Sequence, residues 1–106
     1  MNSSLVTTGP EEFTVGSTEL MQSKAFKGGL LWNLVGGSAR LLMTDPDGTD
    51  YDLAATPQNG GASVGWTVPN VPGTWVRAWK LIDSTGVIQI SVPITFRVVL
   101  SPGDPF

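Results

Sequence analysis

The sequence predicts an all-β chain, an antiparallel β-sandwich of about seven short strands, and three observations carry that reading. Apolar residues alternate with polar ones near the C-terminus, in VIQISVPITFRV. The 13 glycines and 8 prolines are spread along the whole chain as turn punctuation. No stretch shows a convincing helical period, so two packed layers of strands are the natural way to bury one face of each.

The strands follow from the C-terminal end backwards. From Ile88, every second residue is apolar: Ile88, Ile90, Val92, Ile94, Phe96 and Val98. This predicts one strand with one buried face. Pro93 lacks an N–H, so the strand lies at a sheet edge or is broken there by a bulge. Asp83-Ser84-Thr85-Gly86 is a turn. Before it, GTWVRAWKLI is apolar on both parities: Trp75, Trp79 and Leu81 against Val76, Ala78 and Ile82. A bulge and a strand covered on both sides explain this equally well. Pro69-Asn70-Val71-Pro72-Gly73 is a corner, and ATPQNGG is a loop. Between them GASVGWTV puts Val64, Trp66 and Val68 on one face. SARLLMT and GTDYDLA form a pair of strands, and GLLWNLV is a strand bracketed by Gly28-Gly29 and Gly36-Gly37. EEFTVGS is a candidate first strand, while a single helical turn at ELMQSKAF stays open.

At 106 residues the chain predicts one domain, residues 11–100. Residues 1–10 and 101–106 have no apolar period and read as an N-terminal arm and a C-terminal tail.

Composition removes most chemistry. Without cysteine there are no disulfides, thiol nucleophiles or thiolate metal sites. Without histidine there are no His-based triads and few zinc geometries. The net charge of −3, with six scattered basic residues, argues against nucleic acid. No apolar run reaches the roughly 20 residues that span a bilayer. MNSSLVTTGPEEF lacks the basic and apolar regions of a signal peptide, which predicts action in the cytoplasm or in something assembled there. The Gly-Gly pairs precede no helix and do not fit a phosphate loop. The expectation is a non-enzymatic protein with no cofactor.

One stretch invites a metal reading. TDPDGTDYD holds Asp45, Asp47, Asp50 and Asp52. Counted from Asp45 as the first position of an EF-hand loop, glycine comes at the fourth position rather than the sixth, and Thr56 stands where the twelfth-position Glu belongs. A hairpin turn explains each residue instead. Pro46 presets φ, Asp45 accepts from following amides, and Gly48 supplies a positive φ. Asp45, Asp47 and Asp50 remain a weak calcium candidate.

The four tryptophans, Trp32, Trp66, Trp75 and Trp79, read mainly as core. Exposed together they would instead make a sugar-stacking platform, and a carbohydrate-binding or adhesion module is therefore the alternative function.

PGTWVRAWKLIDSTGVIQISVPITFRV resembles the last two strands, F and G, of immunoglobulin-like sandwich domains. Gly73-Thr74-Trp75 stands where such domains carry Gly-x-Tyr, so Trp75 replaces the corner tyrosine, and Arg77 takes the place of the second cysteine. With LLMTDPDGTDYDLAATPQNGGASVGWTV, residues 28–99 look like the cysteine-free immunoglobulin-like domains of tailed-bacteriophage particles. That resemblance implies a virion structural protein made in the host cytoplasm, a capsid decoration protein, with a neck or tail accessory protein as the variant. Its partners would be other virion proteins, with self-association possible, and it carries over no catalytic residues. The candidate partner-binding residues are Leu5, Val6 and Phe13 near the N-terminus, Pro93 on the strand edge, and Phe106 in the tail.

Overall fold

A computed structural model describes residues 11–100. The chain forms β1 (Glu11–Thr14), β2 (Thr18–Lys24), β3 (Phe26–Lys27), β4 (Leu30–Leu31), β5 (Ser38–Thr44), β6 (Asp50–Gln58), β7 (Gly61–Thr67), β8 (Gly73–Ile82), β9 (Ile88–Ile90) and β10 (Ile94–Val99). There is no helix among the described residues.

The neighbours in the main sheet run β1-β10-β8-β5-β6-β7-β2, and β9 extends the β10 side of β8. All pairings are antiparallel except β1 with β10. The nine-residue β6 bends this sheet round, because its first six residues pair with β5 and its last three pair with β7. The two outermost strands, β1 and β2, are consecutive in the chain. Their turn is laced on both sides: Val15 N–H donates to Val99 O, Gly16 N–H to Val68 O, and Val68 N–H to Ser17 O. The sheet is thus nearly closed, with a seam running between β2 on one side and β1 and β9 on the other.

The core fills the space this curvature encloses. Trp75 and Phe96 are fully buried; Trp66 meets both edge-on at 5.3 and 5.8 Å between centroids, and Phe13 meets Phe96 at 5.5 Å and Trp66 at 6.1 Å. Leu41, Met43, Val68, Trp79, Leu81 and Val98 complete the packing. The parity of β8 is now settled. Trp75, Trp79 and Leu81 face inward, and Val76, Ala78 and Ile82 face outward on a regular strand. Arg77 shares the inward side, where its guanidinium stacks 5.4 Å from the Phe96 ring centre and pairs with Glu11.

One open stretch is settled and three expectations are corrected. ELMQSKAF is strand, because Met21 reaches the core while β7 satisfies the backbone of Thr18–Lys24. GLLWNLV is no single strand. Gly28 and Gly29, at φ 63° and 81°, make the two-residue turn of a β3–β4 hairpin, and beyond it Trp32 and Leu34 are buried in an irregular segment. ATPQNGG is not loop throughout, since β6 continues to Gln58. Pro57 is accommodated there because β6 has already left β5 at Ala55 and presents that side unpaired. The last correction concerns the C-terminal alternation. It is two strands, and only Phe96 and Val98 of its six apolar residues are buried.

Candidate docking face

That last difference creates the most distinctive surface of the molecule. β8 advances three residues, from Arg77 to Lys80, while the strand opposite it retreats four, from Ile94 to Ile90. The break at Ser91–Pro93 therefore holds one extra residue, as in a β-bulge. It is anchored to β8 from both sides of one residue: Ser91 N–H donates to Trp79 O at 2.9 Å, and Trp79 N–H donates to Ser91 Oγ at 2.8 Å. The extra residue reverses the parity of β9 relative to β10. Ile88 and Ile90 consequently pair with Ile82 and Lys80 on the outer face instead of joining Phe96 inside.

The result is an exposed apolar patch on the outer face, with Ile88 at 56% and Ile90 at 61% exposure and Val92 at 82% in the break, while Ile94 keeps the parity of Phe96. Pro93 forms one wall of an adjoining groove of about 430 Å³. Leu42, Val76 and Ala78 floor the groove. Its far lip is acidic, with Asp50 accepting from Thr44 Oγ1 and Asp52 from Arg40 Nε, both at 2.8 Å. An apolar floor with a polar lip is a composition that recognition surfaces share.

Pro93 is thus the one candidate partner-binding residue that the structure places on this face. Phe13 is half-buried, its ring spent on Trp66 and Phe96. Leu5, Val6 and Phe106 lie outside the described residues. The residues that sequence reasoning missed are Leu42, Val76 and Ala78, together with the outward turn of Ile88 and Ile90. Two signals pointed to them: a proline inside an alternating run, and the apolar outer parity of GTWVRAWKLI.

The acidic stretch is a turn. Asp45 Oδ1 accepts from the amides of Asp47 (2.8 Å) and Thr49 (2.9 Å), and Oδ2 accepts from the Tyr51 hydroxyl (3.0 Å). Gly48 takes φ 87° at the position that needs it. Burial pushes the Asp45 carboxyl up, but the bonds from Thr49, Tyr51, Asp47 and Gly48 together leave it below its ordinary value. With its oxygens turned into the turn, Asp45 does not converge with Asp47 and Asp50, and no group of three metal-ligating side chains exists among the described residues.

The same device recurs at Asp83-Ser84-Thr85-Gly86-Val87. Asp83 Oδ1 accepts from the Thr85 hydroxyl (2.6 Å) and from the amides of Thr85 and Val87, and Oδ2 accepts from Trp32 Nε1 (3.0 Å). The Thr85 hydroxyl is the main cause of a carboxyl held far below the usual range; burial opposes it, and Trp32 and the two amides reinforce it. Both hairpins thus pair a turn-capping aspartate with an aromatic donor, Tyr51 from the same hairpin in one and Trp32 from a distant segment in the other.

All four indoles are buried, with at most 6% exposure. The platform that a sugar-stacking module requires is therefore not on the surface. The chain matches no protein-family model, no curated protein and no solved structure. Among the described residues no helix is long and apolar enough to cross a membrane.

Proposed function

We propose that this protein is a non-catalytic, immunoglobulin-like docking module that seats its β8–β9 outer face on another protein, as a capsid decoration protein of a bacteriophage particle. The observation that carries the docking part is the exposed set Ile88, Ile90 and Val92 beside the Pro93 groove. A soluble surface normally scatters such side chains singly. Burying one of them against a partner contributes on the order of 1.5–3 kcal/mol. On a symmetric shell many modest contacts of this kind sum to stable attachment.

The immunoglobulin-like reading is supported by strand pairing. One layer, β1-β10-β8-β5-β6, corresponds to the F and G strands with their neighbours, and β7 and β2 with the end of β6 supply the opposing layer. It is supported further by Trp75, whose Nε1–H donates to Val71 O at 2.9 Å, four residues upstream. A tyrosine corner makes the same return bond at the start of strand F. Met21 and Arg77 line one cavity between the layers, where a disulfide would join β2 to β8, so a stacked and ion-paired arginine occupies the cystine's place. The virion setting rests on the likeness of residues 28–99 to cysteine-free phage domains.

The test is the double substitution Ile88→Asp with Ile90→Asp. Both side chains are exposed, so the thermal midpoint should change little, each site contributing within about 0.5 kcal/mol. Co-sedimentation with purified particles should fall at least tenfold. Undiminished occupancy by a folded double variant would remove this face from the attachment.

A further inference from the structure

The β3–β4 hairpin is apolar on both faces and largely uncovered by the rest of the described chain. Residues 26–31 are six exposed residues in succession, and Phe26, Leu30 and Leu31 are each more than half exposed. Phe26 lies opposite Leu31 and Lys27 opposite Leu30, so alternation sends the first pair to one face and the second pair to the other. A Cβ added at Gly28 or Gly29 would meet nothing within 4 Å, so the tip stands clear of the molecule. The base, by contrast, is fixed. Trp32 N–H donates to Ala25 O, Ala25 N–H to Gly60 O and Gly60 N–H to Trp32 O, while the buried Trp32 indole is bonded to Asp83.

Charge is divided along the strand axis in a way that suits this end to an anionic surface. Between Glu19 and Asp45 the chain holds no acidic residue, but it holds Lys24, Lys27 and Arg40. Ser38 pairs with Ile82 and Lys24 with Gly61, so the hairpin shares its end of the sheet with the Asp83 turn, which Lys80 precedes on β8. Thr44 pairs with Asp50, which puts Asp45, Asp47 and Asp50 at the opposite end. Glu19 lies there too, at the start of the strand that Lys24 ends. Among the described residues Asp83 is the one carboxylate at the hairpin end. Its oxygens are engaged by Trp32, Thr85 and Val87, and Lys27 is 3.9 Å away. Arg40 is matched by Asp52, whereas Lys24 and Lys80 join no ion pair among the described residues.

A flat protein surface covers one face of a hairpin. A hairpin apolar on both faces is covered completely by a medium that surrounds it, and acyl chains do so without any need for matching shape. We infer that the β3–β4 hairpin enters the interfacial layer of an anionic lipid bilayer, with Phe26, Leu30 and Leu31 among the acyl chains. The Lys24 and Lys27 ammoniums, on flexible stems, then lie at the headgroup phosphates. The hairpin is far too short to span a bilayer, so the contact is shallow and reversible. It strengthens with the anionic lipid content and weakens as salt screens the lysines. The acidic end of the sheet faces away from the lipid. This contact is additional to the β8–β9 docking face and does not depend on it.

Flotation of the full chain at low salt with vesicles of equimolar phosphatidylcholine and phosphatidylglycerol tests this. The chain should float with them, and about tenfold less of it with phosphatidylcholine alone or when it carries Leu30→Asp. Lys24→Glu with Lys27→Glu should remove the preference for anionic vesicles. These positions are exposed, so a thermal midpoint near the parent's verifies that each variant is folded. Leu30→Trp places an indole at the tip, and on vesicle addition its emission should shift to the blue and become shielded from iodide. Co-sedimentation of Leu30→Asp with particles should be unchanged, which keeps the two contacts apart. A parent chain that floats with neither vesicle overturns the inference, and so does a tip indole still open to iodide on bound vesicles. Loss of particle binding or of self-association in Leu30→Asp, where the parent ignores vesicles, would give the hairpin to a protein partner or a second copy and overturn it equally.

Discussion

Asp83 does the most per atom of any polar residue in the described chain. Its carboxylate closes the β8–β9 turn through Thr85 and Val87 and also ties down Trp32, 51 positions earlier in the sequence. Lys27 approaches it at 3.9 Å, but with a largely exposed ammonium that adds little. Because folding lowers the Asp83 pKa, the unfolded chain binds the proton more tightly than the folded one does. The stabilisation is present above the ordinary carboxylate pKa of 3.8 and is lost as pH falls through the depressed folded value. Asp45 acts in the same direction. In Asp83→Asn the thermal midpoint should therefore lie below that of the parent at pH 7, and the gap should narrow steadily below about pH 4. Differential scanning fluorimetry from pH 7 to pH 2 reads this directly, and a gap independent of pH would contradict it. The turn around Asp83 was legible from Asp, Thr and Gly in sequence. Its bond to Trp32 was not, because no local rule connects residues 51 positions apart.

At the scale of elements, β8 is the organising strand, with β5 on one edge and β9 and β10 sharing the other. Its entry and exit depend on close backbone approach. At Gly37, a Cβ would sit 1.9 Å from Ile82 O and 2.8 Å from Asp83 backbone atoms, so neither neighbour has a flexible side chain to move aside. Gly37→Ala should therefore cost roughly 3 kcal/mol or more and abolish a cooperative transition in the worst case. At Gly65, nothing lies within 4 Å, and Gly65→Ala should be neutral or slightly stabilising. Urea denaturation of the two variants side by side distinguishes close approach from a general intolerance of added methyl groups. The strand pair SARLLMT and GTDYDLA, and the strand GASVGWTV, were plain in sequence because each carries a period of two. The β9–β10 element misled for the same reason. A bulge adds one residue, which sequence alternation does not register, and that residue swaps the faces of everything before it.

Over the whole molecule, closure distributes the aromatic residues. Curvature brings Trp66 of β7 across onto Trp75 of β8 and Phe96 of β10, and Trp32 and Trp79 are also buried. All four indoles should therefore resist iodide quenching in the native state, emit towards the blue, and become accessible together in one unfolding transition. A fraction quenched under native conditions would place an indole at the surface and reopen the sugar-stacking alternative.

The sequence by itself determined the all-strand character, the turns at Asp45 and Asp83, and the burial of Trp66 and Trp75. Each of these is a local matter of period, φ preference or side-chain size. Only the tertiary structure decided which apolar residues are left outside. Whether Ile88 and Ile90 face core or solvent depends on register against β8, and whether Trp32 and Trp79 are covered depends on how far the sheet curls. Both follow from pairing between segments distant in the chain, where the free energy of burial is shared across strands and no single stretch contains it.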